Sequence, residues 1–81
     1  MKIRMGGYYL HVSGKSILKV SMVVTFKTGV QQVFGHLFNK NMGIETYLCK
    51  RDDFLENFRA LPKKAALEQL TSWGLNEEVL E

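Results

Sequence analysis

The tetrapeptide Ser13-Gly14-Lys15-Ser16 is the segment of this sequence closest to a chemical motif, because it matches the end of a phosphate-binding loop. The complete loop needs another glycine five positions before Gly14, and it leads from a strand into a helix. Tyr9 occupies that position, and the residues after Ser16 alternate as a strand does. The segment is therefore interpreted as a hairpin turn and not as a nucleotide site.

Residues that could act as metal ligands or nucleophiles are few and scattered. A zinc site needs about four cysteine or histidine ligands, and the chain has only His11, His36 and Cys49. We therefore predict no metal site and no cofactor. A nucleophilic pair of Cys49 and His36 stays open, since Lys50 and Arg51 would lower the pKa of an exposed thiol. A buried, unreactive thiol is the more common outcome within a strand.

The acidic residues Asp52, Asp53 and Glu56 could in principle supply carboxylates for acid–base catalysis. They are better explained as first-turn residues of a helix, where negative charge complements the helix dipole. No catalytic residue is assigned, and we do not expect an enzyme.

Charge is divided along the chain. Residues 1–51 contain eight basic side chains and one acidic side chain, Glu45, for a net charge of +7. Residues 52–81 contain three basic and seven acidic side chains, for a net charge of −4. This polarity favours an anionic partner for the first part, or association between unlike ends of two molecules.

The length of 81 residues predicts a single domain whose core is small. Cys49 has no second cysteine to pair with, which favours a reducing cytoplasm. No run of about 18 apolar residues is present, so we expect no membrane partner. The N-terminus also lacks the apolar stretch of a signal peptide.

Two strands are predicted near the N-terminus, because residues 8–13 and 17–26 both alternate with period two. Directly opposed residues of a hairpin point to the same face. A loop of odd length, such as Ser13 to Lys15, would therefore keep the apolar side chains on one face. This register gives the pairs Leu10–Leu18 and Tyr8–Val20.

The segment 30–41 fits a helix better than a strand. Its apolar residues lie at helical spacing, at Val30, Val33, Phe34, Leu37 and Phe38. Gly35 opposes a helix by roughly 1 kcal/mol relative to alanine, and residues 27–29 resemble a hairpin turn. Helix is the preferred interpretation, and strand stays open.

The C-terminal part predicts a strand over 44–50 and then two helices. Asp53 to Glu56 has the order of a capping box, so the first helix would run from there to Leu61. Pro62 would open the second helix, Gly74 would end it, and Asn76 would cap a last turn.

The predicted fold class is therefore α+β. A small antiparallel sheet is built on the N-terminal hairpin, followed by a central helix, a further strand, and two C-terminal helices packed on one side of the sheet. The single domain covers 1–81, with a basic sheet-rich part at 1–51 and an acidic helical part at 52–81.

The preferred function is nucleic-acid binding by a non-enzymatic module. The odd hairpin loop would place basic and aromatic side chains together on the free face of the sheet, where rings stack on bases and cations follow phosphates. The predicted binding residues are Arg4, Tyr9, His11, Lys15, Lys19 and Lys27. A face that is merely solvated is the simpler alternative.

A protein-interaction module is the second hypothesis. A small inhibitor or regulator could dock on a larger protein, or the chain could form a homodimer through free strand edges and its unlike charges. Most aromatic residues, including Phe34 and Trp73, are assigned to the core, with a partner-binding surface stripe as the alternative for them.

Overall fold

The computed structural model describes residues 3–75, which form a five-stranded antiparallel sheet and two helices. The elements in chain order are β1 (Tyr8–His11), β2 (Ser16–Thr25), β3 (Gln31–Asn39), β4 (Gly43–Lys50), α1 (Arg51–Asn57), β5 (Phe58–Leu61) and α2 (Lys63–Ser72). The strands lie in the order β4-β3-β2-β1-β5. The α+β class is confirmed, whereas the arrangement of the helices differs from the expected one.

The inner face of the sheet packs against α1. Its buried residues include Tyr9, Leu18 and Val33, together with Phe54 of α1 and Phe58 of β5. The Phe54 ring stacks on Phe58 with centroids 5.2 Å apart and meets the edge of Tyr9 at 4.8 Å.

The sheet is strongly curled. Tyr47 of β4 lies 5.8 Å, between ring centroids, from Phe58 of β5, although these two strands stand at opposite ends of the strand order. The two edges of the sheet therefore approach each other across the inner core.

The outer face of the sheet packs against α2. Tyr8, Ile17 and Phe38 form a second buried cluster with Ala66 and Leu70 of α2. The two helices thus cover opposite faces, and the expectation that both pack on one side is wrong. Neighbouring apolar residues supply both faces, because successive side chains of a strand point in opposite directions.

The β1–β2 hairpin has an even loop of four residues, Val12–Lys15, so the predicted odd loop is wrong. The register pairs Tyr8 with Lys19, Tyr9 with Leu18 and Leu10 with Ile17. An odd loop would be needed only if one face of the hairpin were apolar and the other were open to water. Residues of this hairpin are buried on both faces, so an even loop is compatible with the apolar pattern.

The segment 30–41 contains β3, so the helix preferred for it is wrong. The turn before it decides the outcome: the Phe26 N–H donates to the Val30 carbonyl at 2.8 Å, and Gly29 has a φ of 88°. Gly35 pairs with Val20 of β2, where a Cβ would collide with the Lys19 carbonyl oxygen. A glycine that is unfavourable in a helix is therefore required by this strand pairing.

The first C-terminal helix is shorter than expected. It begins at Arg51, no side-chain hydrogen bond caps it, and it ends at Asn57. Asp52 and Asp53 lie in its first turn, where their charge complements the helix dipole, whereas Glu56, also expected in the first turn, lies near the end of the helix. The residues expected to continue it form β5, which pairs with β1 and carries the sheet into the acidic part of the sequence.

The second C-terminal helix matches the expected bounds closely. Pro62 immediately precedes α2, and Gly74, with a φ of 77°, follows its last turn. The turn predicted at Asn76 lies outside the described residues.

Replacing Gly35 by alanine is expected to lower the free energy of unfolding by about 1–3 kcal/mol, because strands β2 and β3 must separate to admit the methyl group. Urea denaturation measures this change. Thr28→Ala, in the exposed β2–β3 turn, is the control and should stay within about 0.5 kcal/mol of the natural sequence. Equal stabilities of the two variants would contradict the proposed collision.

Candidate functional site

The residues predicted to bind nucleic acid do not form one surface. Tyr9 is only 2% exposed, its ring packs on Phe54, and its hydroxyl accepts a hydrogen bond from the Arg4 backbone N–H at 2.9 Å. Its ring is therefore not accessible for stacking on a base.

His11 and Lys19 lie on opposite faces of the sheet, so the prediction that they and Tyr9 share one face is wrong. The His11 ring meets the edge of Phe58 at 5.1 Å on the inner side. The Lys19 ammonium lies 5.7 Å from the centroid of the Tyr8 ring, an outer-face residue. The four-residue loop causes the separation, because it pairs Lys19 with Tyr8.

The remaining three predicted cations are exposed but dispersed. Arg4 precedes β1, Lys15 lies in the β1–β2 turn and Lys27 in the β2–β3 turn. The ten-residue β2 separates the two lysines, a distance of about 30 Å along an extended chain.

A different pair of cations is brought together. Lys15 and Lys40 line one shallow depression, and the Lys40 N–H donates to the Lys15 carbonyl oxygen at 3.0 Å. Sequence reasoning missed Lys40, because its position follows from the β2–β3 pairing. That pairing is recognised only once the segment 30–41 is read as a strand.

The most prominent surface feature is apolar. On the outer face, Met22, Phe34 and Leu48 are cross-strand neighbours on β2, β3 and β4. Met22 is 47% exposed, Leu48 is 58% exposed, and Phe34 is partly exposed. Three large apolar side chains thus form a continuous row that α2 does not cover.

The row continues towards the β2–β3 turn. Val24 lies two residues after Met22 on β2 and is partly buried. Phe26 and Val30, each 46% exposed, directly follow β2 and precede β3, and a backbone hydrogen bond joins them. We call these six residues the outer apolar patch: Met22, Val24, Phe26, Val30, Phe34 and Leu48.

A polar row separates the outer apolar patch from the half of the face that α2 covers. Lys19, His36 and Thr46 are cross-strand neighbours, and the His36 Nδ1 lies 3.4 Å from the Ser21 hydroxyl oxygen. Beyond this row, Phe38 and Ile44 belong to the cluster under α2. The outer face therefore has a covered apolar half, a polar boundary and an open apolar half.

The outer apolar patch ends at β4, which is an edge strand of the sheet. The eight residues of β4 pair with β3 in an uninterrupted register and contain no proline. Natural sheets commonly protect their edges with bulges, prolines or short strands. The other edge strand, β5, has four residues and is followed by Pro62, so β4 is the less protected edge.

Phe38, Phe54 and Phe58 are buried as expected, and Trp73 is partly buried and packs against the cluster under α2. Phe34 was also expected in the core and is partly exposed on the open part of the outer face. The alternation of β2 was visible in the sequence and indicated that Met22 and Val24 share a face. The openness of that face was not visible, since it depends on where α2 lies.

Cys49 does not pair with His36, because Cys49 pairs with Val33 and lies on the inner face, whereas His36 lies on the outer face. Burial raises the pKa of the Cys49 thiol, and its hydrogen bond with the Tyr47 side chain, which acts in the opposite direction, does not cancel this effect. Burial also raises the pKa of Tyr47. The raised pKa of Cys49 and its separation from His36 both oppose a nucleophilic role for this cysteine.

Within residues 3–75, no three histidine, cysteine or carboxylate side chains come close enough to hold a metal ion. The same residues contain no helix with the length and apolar character needed to cross a membrane.

No protein-family model, curated protein or solved structure matches this chain.

Native Cys49 is expected to react with a disulfide reagent more slowly at about pH 8 than it does in the unfolded chain, because a raised pKa leaves less thiolate. The difference should shrink as the pH rises through the folded-state pKa. Absorbance of the released thiolate measures both rates. Equal rates in native buffer and in denaturant would contradict the assigned burial.

Proposed function

We propose that this protein is a non-enzymatic protein-interaction module that binds its partner through the outer apolar patch. The observation that carries the proposal is the exposed row of Met22, Phe34 and Leu48, which crosses three strands and reaches the edge strand β4. Apolar surface patches rimmed by polar residues are typical of interaction sites.

The energetics support a binding role for these side chains. Complete burial of a large apolar side chain contributes about 1.5–3 kcal/mol. Met22 and Leu48 expose roughly half of their surface, so a partner that covers the row recovers stabilisation that the fold leaves unused. A polar side chain at position 48 would be compatible with the fold, because Leu48 contributes little to the core.

The position of the patch beside β4 supports a specific mode of binding. An extended segment that pairs with an edge strand gains main-chain hydrogen bonds, while side-chain contacts provide specificity. A partner strand beside β4 would place alternate side chains next to Leu48 on the outer face. One partner segment could thus use both the edge and the patch.

Photo-crosslinking tests this proposal. A photoreactive phenylalanine derivative at position 48 is expected to form covalent adducts with protein when the purified chain is irradiated in native lysate. Position 12 is the matched control, since Val12 and Leu48 are both 58% exposed and Val12 lies in the β1–β2 turn, outside the patch. Adduct yields at position 48 that do not exceed those at position 12 would refute the proposed surface.

Nucleic-acid binding is a second candidate, and the juxtaposition of Lys15 and Lys40 favours it. Two exposed lysine side chains beside one depression can contact neighbouring phosphates, and each contact adds to the salt dependence of binding.

The double variant Lys15→Glu/Lys40→Glu is expected to weaken nucleic-acid binding across sequences and to reduce the slope of log affinity against log salt by about 2. Lys63→Glu/Lys64→Glu at the start of α2 changes the charge equally and is the control. Fluorescence anisotropy with single-stranded and duplex probes measures both. Undetectable binding of the natural sequence at low salt would eliminate this candidate.

A further inference from the structure

We propose that a second copy of this chain binds at the β4 edge of the outer apolar patch, joined through antiparallel pairing of the two β4 strands about a twofold axis at Leu48. This inference rests on the function proposed above and specifies its partner. The β4–β4 pairing would join the two curled sheets edge to edge into one continuous sheet.

The first argument is the asymmetry between the two sheet edges. The β4 edge offers eight residues in uninterrupted register, whereas β5 offers four residues and ends before Pro62. An edge that is long and regular is suited to pairing with another chain. With the axis at Leu48, the five residues 46–50 of one copy pair with the same five residues of the other, whereas β5 offers only four residues to a partner strand.

The second argument is charge complementarity, which selects the register. When the twofold axis is perpendicular to the sheet, both copies present the same face to the same side. Opposed residues of the two strands must then point to the same face, so their numbers differ by an even count. The axis therefore passes through one residue, which lies opposite its own copy. Centres near the middle of the edge are Glu45, Thr46, Tyr47 and Leu48. Only the centre at Leu48 brings Glu45 level with Arg51, which directly follows β4 as the first residue of α1, and symmetry makes this contact twice.

Glu45 is the one acidic side chain among the first 51 residues, and it is exposed on this edge. A centre at Glu45 sets the two Glu45 carboxylates against each other. The centres at Thr46 and Tyr47 place Glu45 opposite Tyr47 or Cys49 and set Lys50 opposite an apolar side chain. With the axis at Leu48, Lys50 faces the hydroxyl-bearing Thr46 instead. This register therefore avoids like charges and joins unlike ones.

The third argument is the continuity of the apolar row. With the axis at Leu48, the two Leu48 side chains meet on the outer face. The row of Met22, Phe34 and Leu48 in one copy then continues into the same row of the other copy. The two Leu48 side chains, each 58% exposed in one copy, would cover each other. Met22 and Phe34 of both copies would remain on one continuous open surface.

A charge-exchange series tests the arrangement, with the molar mass measured by sedimentation equilibrium over a wide range of protein concentration. The natural sequence is expected to form a dimer. Glu45→Arg and Arg51→Glu are each expected to raise the dimer dissociation constant by about tenfold, because each reversal replaces two attractions by two repulsions. The double variant Glu45→Arg/Arg51→Glu should return to within about threefold of the natural value.

A mass that stays monomeric at every concentration would overturn the inference, and so would a double variant that dimerises no better than the single variants. A closed ring of more than two copies would overturn the β4–β4 pairing. Circular dichroism of each variant confirms that the fold is retained. Leu48→Lys, which sets two cations at the axis, should abolish the dimer, whereas Val12→Lys should leave it unchanged.

The crosslinking experiment separates failure of this inference from failure of the proposed function. Adducts from position 48 between two copies of the chain are the expected result. Adducts with other proteins alone would overturn the dimer and retain an interaction module. The absence of specific adducts, together with a monomeric mass, would overturn both.

Discussion

The antiparallel pairing of β5 with β1 is the contact on which the rest of the structure depends. It turns Phe58 onto Phe54 and Tyr9 in the inner core and sets Leu61 beside Tyr8 on the outer face. The chain thus passes from one face of the sheet to the other within four residues. Because α1 precedes this strand and α2 follows it, the two helices cover opposite faces and two small cores share one sheet.

The open half of the outer face follows from the length of α2. Ten helical residues span about 15 Å, whereas the nine residues of β3 span about 30 Å. The helix cannot cover a strand of this length, and its buried residues, Ala66 and Leu70, reach only the end of the sheet near Phe38. The remaining apolar side chains require another partner for their burial, which connects the fold directly to the proposed function.

The charge division along the sequence has a different meaning in three dimensions. The basic part contributes residues to both faces and to opposite ends of β2, so its charge does not accumulate on one platform. Lys15 and Lys40, which are 25 positions apart in sequence, line one depression. Glu45 gains importance through its position on the exposed edge. Electrostatic arguments from linear sequence give the total charge reliably, and the register decides which charges become neighbours.

Local patterns in the sequence determined the α+β class, strand β2, the strand before α1, and the bounds that Pro62 and Gly74 set on α2, because period-two alternation and backbone restrictions act within a few residues. Tertiary structure decided β3, β5 and the register. The apolar residues of these segments are compatible with a helix, with a strand, and with either face of the sheet. Long-range strand pairing and packing therefore decide the secondary structure and the face on which each side chain lies. Gly35 illustrates the difference, since its role is defined by the strand beside it. The outer apolar patch was unpredictable for the same reason, because the sequence shows which residues are apolar and only the packed helices show which of them stay uncovered.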